Sequence, residues 1–185
     1  MPDSDELVRD DAPITSSKTI NPDAALSAEA VTIGRPAREL YDFWRRPENL
    51  AGFMENVESI EAIDDKRSRW TVKAPGGTTV SWESVITAEE PGRSISWQSA
   101  DGADVDNKGK VEFIDAGPRG TIVRAVIAYQ PPMGTAGKLI AKVMQREPRI
   151  QSRRDLRRFK QLMEAGEIAT GARNRRLRAE QEDEQ

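Results

Sequence analysis

The sequence predicts an α+β fold in which a seven-stranded antiparallel sheet is covered by a long C-terminal helix. Between residues 57 and 130, alternating apolar and polar residues are separated by proline- and glycine-containing turns, which is typical of an antiparallel meander. In residues 131–168, apolar residues recur at steps of one, three and four positions, which indicates an amphipathic helical region. One face of the predicted sheet is largely apolar, so this helical region is its natural cover.

Three parts are expected along the chain. Residues 1–27 form a disordered acidic leader, because they are rich in Asp, Ser, Pro and Ala and poor in large apolar side chains. Residues 28–167 form one folded domain, and residues 168–185 form a charged flexible tail. The domain begins with a short strand at residues 29–33, which alternate in polarity and end at a glycine.

Two short helices are expected after this first strand. Pro36 begins the first helix, since proline is tolerated in a first helical turn. Its buried face carries Leu40, Phe43 and Trp44, which are spaced i, i+3 and i+4. Pro47 ends this helix and begins the second, which has the sequence PENLAGF.

Six further strands are expected at residues 57–63, 67–74, 78–89, 93–99, 110–115 and 120–130, with a polar loop at residues 100–109. The proline–glycine–glycine turn at residues 75–77 predicts a hairpin. It places Trp70 opposite Trp82, a favourable cross-strand aromatic pair, and Val72 opposite Val80.

Proline at position 148 is expected to divide the C-terminal helical region, because it removes a backbone donor and clashes with the preceding turn. A kink is therefore predicted near Glu147. Residues 135–146 form a short helix that is either a lid or an irregular start of the main helix. Residues 148–165 form the main helix, with Gly166 on its C-cap side.

The composition excludes several kinds of chemistry. The chain has no cysteine and no histidine, which removes Ser-His-Asp and Cys-His catalysis, histidine-ligated zinc and thiolate-bound iron–sulfur clusters. No metal or cofactor is expected. The N-terminus lacks the apolar run of a secretory signal, and no window approaches the roughly 18 apolar residues of a membrane span. The expected location is the cytoplasm, with peripheral contact at the inner membrane face as a further option.

Acid–base candidates on the strands are Glu83, Glu112, Arg124 and Tyr129. Glu83 and Arg124 are expected on the polar outer face, and the register leaves Glu112 open. Only Tyr129 is expected to face inward with a polar tip. The adjacent carboxylates at residues 64–65 and 89–90 are interpreted as solvated turn residues. No set of residues is assigned as catalytic.

The local sequence also resembles a known family. The segments RPARELYDFWRRPENLAGFMENVESIE, SRWTVKAPGGTTVSWESVI and DLRRFKQLMEAGE are similar to the first helix pair, the central hairpin and the end of the long helix in the SRPBCC/START-like superfamily. Within it, the chain looks most like bacterial polyketide cyclase/dehydrase proteins, which are related to coenzyme Q-binding START-type proteins. The resemblance covers residues 29–167 and implies the helix-grip fold, in which a curved sheet wraps around the C-terminal helix.

The resemblance further implies a cavity between sheet and helix that binds apolar small molecules. The expected function is the binding or carrying of a lipid, quinone or polyketide-like molecule, and the alternative is a polyketide cyclase/dehydratase-type enzyme. Candidates for the lining are Trp70, Trp82, Trp97, Phe113, Tyr129, Met133, Leu139, Val143 and Met144, with Phe53 and Met54 near an entrance. Each of these can also be a core residue without ligand contact.

The C-terminal helix carries a basic face formed by Arg149, Arg153, Arg154, Arg157 and Arg158. This basic face is either a solvated surface paired with acidic neighbours or a transient contact for an anionic membrane surface. Nucleic acid is not an expected partner, because no recognition motif accompanies the positive charge. The sequence indicates no particular oligomeric state.

Overall fold

The computed structural model describes residues 25–130 and 148–168 of the 185-residue chain. Most of the expected leader, the short helix at residues 135–146, the kink near Glu147 and all but the first residue of the charged tail lie outside the described residues. The first strand begins at Ala25, so it is longer than expected and starts inside the segment interpreted as leader.

The seven predicted strands are present and form one antiparallel sheet. They are β1 (Ala25–Ile33), β2 (Val57–Ala62), β3 (Arg67–Lys73), β4 (Thr79–Glu90), β5 (Ser94–Ser99), β6 (Asp106–Asp115) and β7 (Thr121–Gln130). Their order across the sheet is β1-β7-β6-β5-β4-β3-β2, so β2 to β7 form the predicted meander. The first strand pairs with the last, and β1 and β2 therefore occupy opposite edges.

The helices also follow the prediction. Helix α1 (Ala37–Trp44) is followed by a 3₁₀ helix (Pro47–Gly52), and helix α2 spans Pro148–Ala165 as expected. Pro36 is the N-cap of α1 with an extended backbone rather than its first helical residue. Gly166 has a φ of 76° and donates its N–H to Leu162 O at 2.9 Å, which ends α2 at a left-handed glycine.

The β3–β4 hairpin has the predicted register. Trp70 lies opposite Trp82, and Val72 lies opposite Val80. The two indole rings stack with centroids 6.2 Å apart and an interplanar angle of 15°. This pair joins the main core to a second apolar cluster around Val105, which is fully buried.

Strand β6 begins at Asp106, four residues earlier than predicted, so the expected polar loop is shorter. Because β6 has a strand on each side, its backbone groups are paired whatever the polarity of its side chains. Asn107 also exchanges bonds with Ser99: its N–H donates to Ser99 Oγ at 2.9 Å, and Ser99 Oγ donates to Asn107 O at 3.2 Å. These contacts stabilise a strand that the alternation of apolar residues does not indicate.

An aromatic cluster anchors α2 to the rest of the domain. Phe159 is fully buried and stacks on Phe53 with ring centroids 4.9 Å apart. It also meets Trp44 edge-on at 5.2 Å and packs on Phe43 at 5.6 Å. The cluster therefore connects α2 to α1 and to the end of the 3₁₀ helix.

Candidate ligand cavity

A cavity of about 550 Å³ lies between the inner face of the sheet and α2. Its apolar lining consists of Trp44, Pro47, Leu50, Met54, Ala62, Trp70, Ile86, Ile95, Trp97, Ala125, Ile127 and Leu156. Its polar lining consists of Arg45, Arg46, Glu48, Asp64, Asp65, Lys66, Arg67, Ser68, Ser84, Ser152 and Asp155. The volume and the largely apolar walls are those of a small-molecule site.

The sheet wall of the cavity contains a row of four neighbouring positions on β4 to β7. Ile86 lies opposite Trp97, Trp97 opposite Gly109, and Gly109 opposite Ile127. A Cβ atom at Gly109 would lie only 2.4 Å from Trp97 Cζ2, so the indole occupies the space of the missing side chain. The Trp97 N–H donates to Asn107 Oδ1 at 3.1 Å, which fixes the ring over β6.

We expect Gly109→Ala to disturb this wall. The added methyl group would also lie 2.8 Å from Val126 O, so the Trp97 ring must move and break its bond to Asn107. The free energy of unfolding should fall by about 1–3 kcal/mol, as measured by urea denaturation, and the near-ultraviolet circular dichroism of the indole should change. Gly52→Ala is the control, because an added Cβ there meets nothing within 4 Å. Equal effects of the two substitutions would contradict this account of Trp97.

Trp70 is held in a similar way on the neighbouring part of the wall. Its N–H donates to Ser68 Oγ at 3.0 Å, and both side chains point to the same face of β3. The indoles of Trp70 and Trp97 therefore already use their only hydrogen-bond donors within the protein. They can offer a ligand aromatic contact area but no free N–H group.

The helix wall places a carboxyl group in the cavity. Asp155 Oδ1 accepts hydrogen bonds from the Glu55 backbone N–H at 3.2 Å and from Gln151 Nε2 at 2.9 Å. Burial raises the pKa of Asp155 from 3.8 to about 6, although both hydrogen bonds act in the opposite direction. Ser152 lies one turn earlier on the same wall. This carboxyl group can change its protonation state close to neutral pH.

One rim of the cavity is held by a network around Glu89. Glu89 Oε2 accepts bonds from Arg45 Nε at 2.6 Å and from the Tyr41 hydroxyl at 3.0 Å. The bond from Arg45 is the main reason that the pKa of Glu89 is lowered, while burial raises the pKa of Tyr41. Arg45 Nη2 also donates to Asp65 O at 2.8 Å. The end of α1 is thereby tied to both β4 and the β2–β3 turn.

The interpretation of residues 89–90 as solvated turn carboxylates is thus wrong for Glu89, which is a partly buried strand residue in an ion pair. For Asp64 the turn interpretation is confirmed. Its carboxylate accepts bonds from Arg67 Nε at 2.7 Å and from the N–H groups of Lys66 and Arg67. These hydrogen bonds lower the pKa of Asp64 to about 2, and the bond from the Arg67 side chain has the largest effect.

The predicted lining residues fall into three groups. Met54, Trp70 and Trp97 line the cavity. Phe53 and Phe113 pack in the aromatic core instead, and Trp82 lies in the second apolar cluster. The Tyr129 side chain and all of Met133, Leu139, Val143 and Met144 lie outside the described residues.

Phe113 is buried because it shares a face with Val111, while Ile114 on the opposite face is 40% exposed. Its ring meets Tyr41 edge-on with centroids 5.9 Å apart. Phe113 and Val111 therefore both lie on the inner face of β6. Within the part of the chain that the structure describes, however, neither Phe113 nor Phe53 belongs to the cavity lining.

Glu83, Glu112 and Arg124, three of the four acid–base candidates on the strands, lie away from the cavity. Glu83 pairs with Arg69 at 2.9 Å on the outer face of the sheet, as expected for that face. Glu112, whose face the sequence left open, lies on the same outer face. Its carboxylate accepts a hydrogen bond from Arg124 and forms an ion pair with Lys110 at 3.0 Å. These carboxylates stabilise the sheet surface and do not reach a ligand in the cavity.

Asp155, Ser152 and Trp44 are among the many lining residues that the sequence interpretation did not name. The two polar residues fall on the same helical stripe as Leu156 and Phe159, since they precede Phe159 by four and seven positions. A polar side chain within an apolar stripe was the signal that could have found them. It was obscured by the surrounding arginines.

The basic face is mostly exposed in the described part of α2. Arg153, Arg154 and Arg157 are exposed, whereas Arg158 is partly buried and donates from Nε to Phe53 O at 2.9 Å. The side chain of Arg149 lies outside the described residues. Arg158 therefore stabilises the contact between α2 and the 3₁₀ helix in addition to contributing charge.

Residues 25–130 and 148–168 contain no cluster of three or more His, Cys, Asp or Glu side chains that could hold a metal ion. In the same residues, no helix is both long enough and apolar enough to cross a membrane.

Comparison with known proteins identifies the family. A model of the family described as polyketide cyclase/dehydrase and lipid transport matches residues 33–160. A crystal structure from Deinococcus radiodurans is 45% identical, with a TM-score of 0.62, and the match covers 76% of this chain and 98% of that one. No curated protein sequence is significantly similar to this chain.

Two more distant structures share the fold. A Thermus thermophilus protein is 22% identical with a TM-score of 0.61, covering 76% of this chain and 98% of that one. The Zhui aromatase/cyclase from a Streptomyces species is 16% identical with a TM-score of 0.60, covering 78% of this chain and 99% of that one. The chain therefore belongs to the polyketide cyclase/dehydrase and lipid transport family, and it has the helix-grip fold.

Proposed function

We propose that this protein binds an apolar small molecule, of lipid, quinone or polyketide-like type, in the cavity between the sheet and α2. The observation that carries the proposal is the cavity of about 550 Å³ with three tryptophans in its walls. Membership of a family described by cyclase, dehydrase and lipid transport functions supports an apolar ligand. Because Trp70 and Trp97 already have partners for their N–H groups, most of the binding free energy should come from apolar contact.

Native mass spectrometry of freshly purified protein, followed by solvent extraction, is the direct test. A reproducible additional mass that disappears on extraction would support ligand binding and identify the ligand class. If the protein is recovered without ligand, titration with quinones, fatty acids and aromatic polyketides follows, with tryptophan fluorescence as the readout. The absence of saturable binding to any of these compounds would contradict the proposal.

We expect Ala125→Leu to weaken binding at least tenfold, because Ala125 is buried on β7 and lines the cavity. The larger side chain would occupy ligand volume. Ala128→Leu is the matched control, because it makes the same change on the same strand. Ala128 is three residues after Ala125, so its side chain points to the outer face of the sheet. Similar loss of affinity in both variants would show that the cavity is not the binding site.

A cyclase/dehydratase-type enzyme is the second candidate, and Asp155 is the observation that favours it. A carboxyl group with a pKa of about 6 in a cavity wall can both accept and donate a proton near neutral pH. Turnover of a poly-β-keto thioester, with product analysis by mass spectrometry, tests this role. Asp155→Asn should abolish cyclisation while retaining binding, and unchanged turnover in this variant would exclude Asp155 as the acid–base group.

A further inference from the structure

Among the described residues, one cavity tryptophan has an unused hydrogen-bond donor. Trp44 is 7% exposed, and within the described part of the chain its indole N–H has no acceptor. Trp70 and Trp97, the other two tryptophans of the lining, each donate to a neighbouring side chain. A buried donor without an acceptor is unfavourable and uncommon in folded proteins, so a hydrogen-bond acceptor for the Trp44 N–H would be stabilising.

The surroundings of Trp44 limit where that partner can be. The rings of Phe53, Phe113 and Phe159 pack around the indole with centroids 5.4, 6.3 and 5.2 Å away. These rings contain no oxygen or nitrogen acceptor. Trp44 also lines the cavity directly, so a ligand bound there would contact the indole.

We propose that the Trp44 Nε1–H group donates a hydrogen bond to an oxygen atom of the ligand, so that the cavity selects carbonyl-bearing apolar molecules over pure hydrocarbons. This inference rests on the proposed function and specifies its ligand class. An indole N–H is a neutral group that only donates, which suits a neutral acceptor such as a ketone or quinone oxygen. The ring system of such a ligand would lie against the apolar walls, with its oxygen directed toward α1.

Two shape-matched probes separate hydrogen bonding from apolar contact. The first is α-tetralone, a bicyclic aryl ketone, and the second is tetralin, which has a methylene group in place of the carbonyl. Wild-type protein should bind the ketone more tightly than apolar transfer alone predicts. In Trp44→Phe, affinity for the ketone should fall about 3- to 10-fold more than affinity for tetralin, as expected for one neutral hydrogen bond.

Trp97→Phe is the matched control, because it makes the same change in the same cavity but removes an N–H that is already bonded to Asn107. It should weaken both probes by a similar factor and leave the preference for the ketone intact. If Trp44→Phe also weakens both probes equally, Trp44 contributes only packing and the inference is overturned. If wild-type protein binds neither these probes nor the quinones, fatty acids and polyketides, the proposed function itself fails.

A measurement on wild-type protein does not depend on the folding of any variant. In ¹⁵N-labelled protein, the indole N–H resonance of Trp44 should move downfield on addition of α-tetralone and much less on addition of tetralin. Trp82 provides an internal reference, since it lies outside the cavity lining. An unshifted Trp44 resonance at saturation with α-tetralone would overturn the inference.

Discussion

Replacing Phe159 by alanine is expected to lower the free energy of unfolding by about 3–5 kcal/mol, the range for truncation of a fully buried phenylalanine. Phe159 is fully buried and packs against Phe43, Trp44 and Phe53, so one change removes the contacts that join α2 to α1 and to the 3₁₀ helix. Urea denaturation followed by circular dichroism at 222 nm measures the effect.

Arg154→Ala is the control for this prediction, because Arg154 is exposed on the same helix. Its effect should stay within about 0.5 kcal/mol. A loss below about 1.5 kcal/mol for Phe159→Ala would show that other contacts, such as the bond from Gly34 N to Glu164 Oε1 at 2.7 Å, anchor α2 instead.

The second large effect is expected at Asp155. Its pKa is raised from 3.8 to about 6 in the folded protein, so the folded state binds the proton more tightly than the unfolded state. The stabilisation from this proton is complete below pH 3.8 and is lost as the pH rises through about 6. The difference between the two pKa values corresponds to about 3 kcal/mol of destabilisation at neutral pH.

Asp155→Asn should therefore increase the free energy of unfolding by up to about 3 kcal/mol at pH 7.5. The Asn side-chain oxygen can still accept the bonds from the Glu55 N–H and from Gln151. The advantage should disappear near pH 4, as measured by urea denaturation at both pH values. Glu48→Gln, at an exposed carboxyl group of the same cavity, should change stability by less than about 0.5 kcal/mol at either pH.

A stabilising effect of Asp155→Asn that persisted unchanged at pH 4 would contradict the role of charge burial. The expected result would mean that the wild-type chain retains a carboxyl group that lowers its stability. A residue that lowers the free energy of unfolding in this way is typical of a functional site.

Local patterns predicted the fold well because strong turn signals limit the register. The turn at residues 75–77 fixes Trp70 opposite Trp82, and Pro148 with Gly166 sets both ends of α2. The start of β6 was not predicted, since its first four residues are polar or glycine and are stabilised by strands on both sides. Single-strand alternation contains no information about such neighbours.

The cavity was harder to predict than the fold for a related reason. Inward-facing aromatics could be named from alternation, but whether Phe53 or Met54 meets the cavity depends on how α1 and α2 pack together. The network of Tyr41, Arg45 and Glu89 joins residues up to 48 positions apart, which no local pattern indicates. The position of Asp155 in the cavity wall likewise depends on how α2 packs against the sheet.

The pairing of the first strand with the last has a consequence for the order in which the chain assembles during synthesis. Strands β3 to β7 each pair with the strand that immediately precedes them in the chain, so they can join the sheet as they leave the ribosome. β1 must wait for β7, because Ala25 lies opposite Tyr129 and Ile33 opposite Thr121. α2, which packs on β1, is made after β7. The candidate cavity therefore forms only after α2 has been translated, because Asp155 and Leu156 belong to its lining.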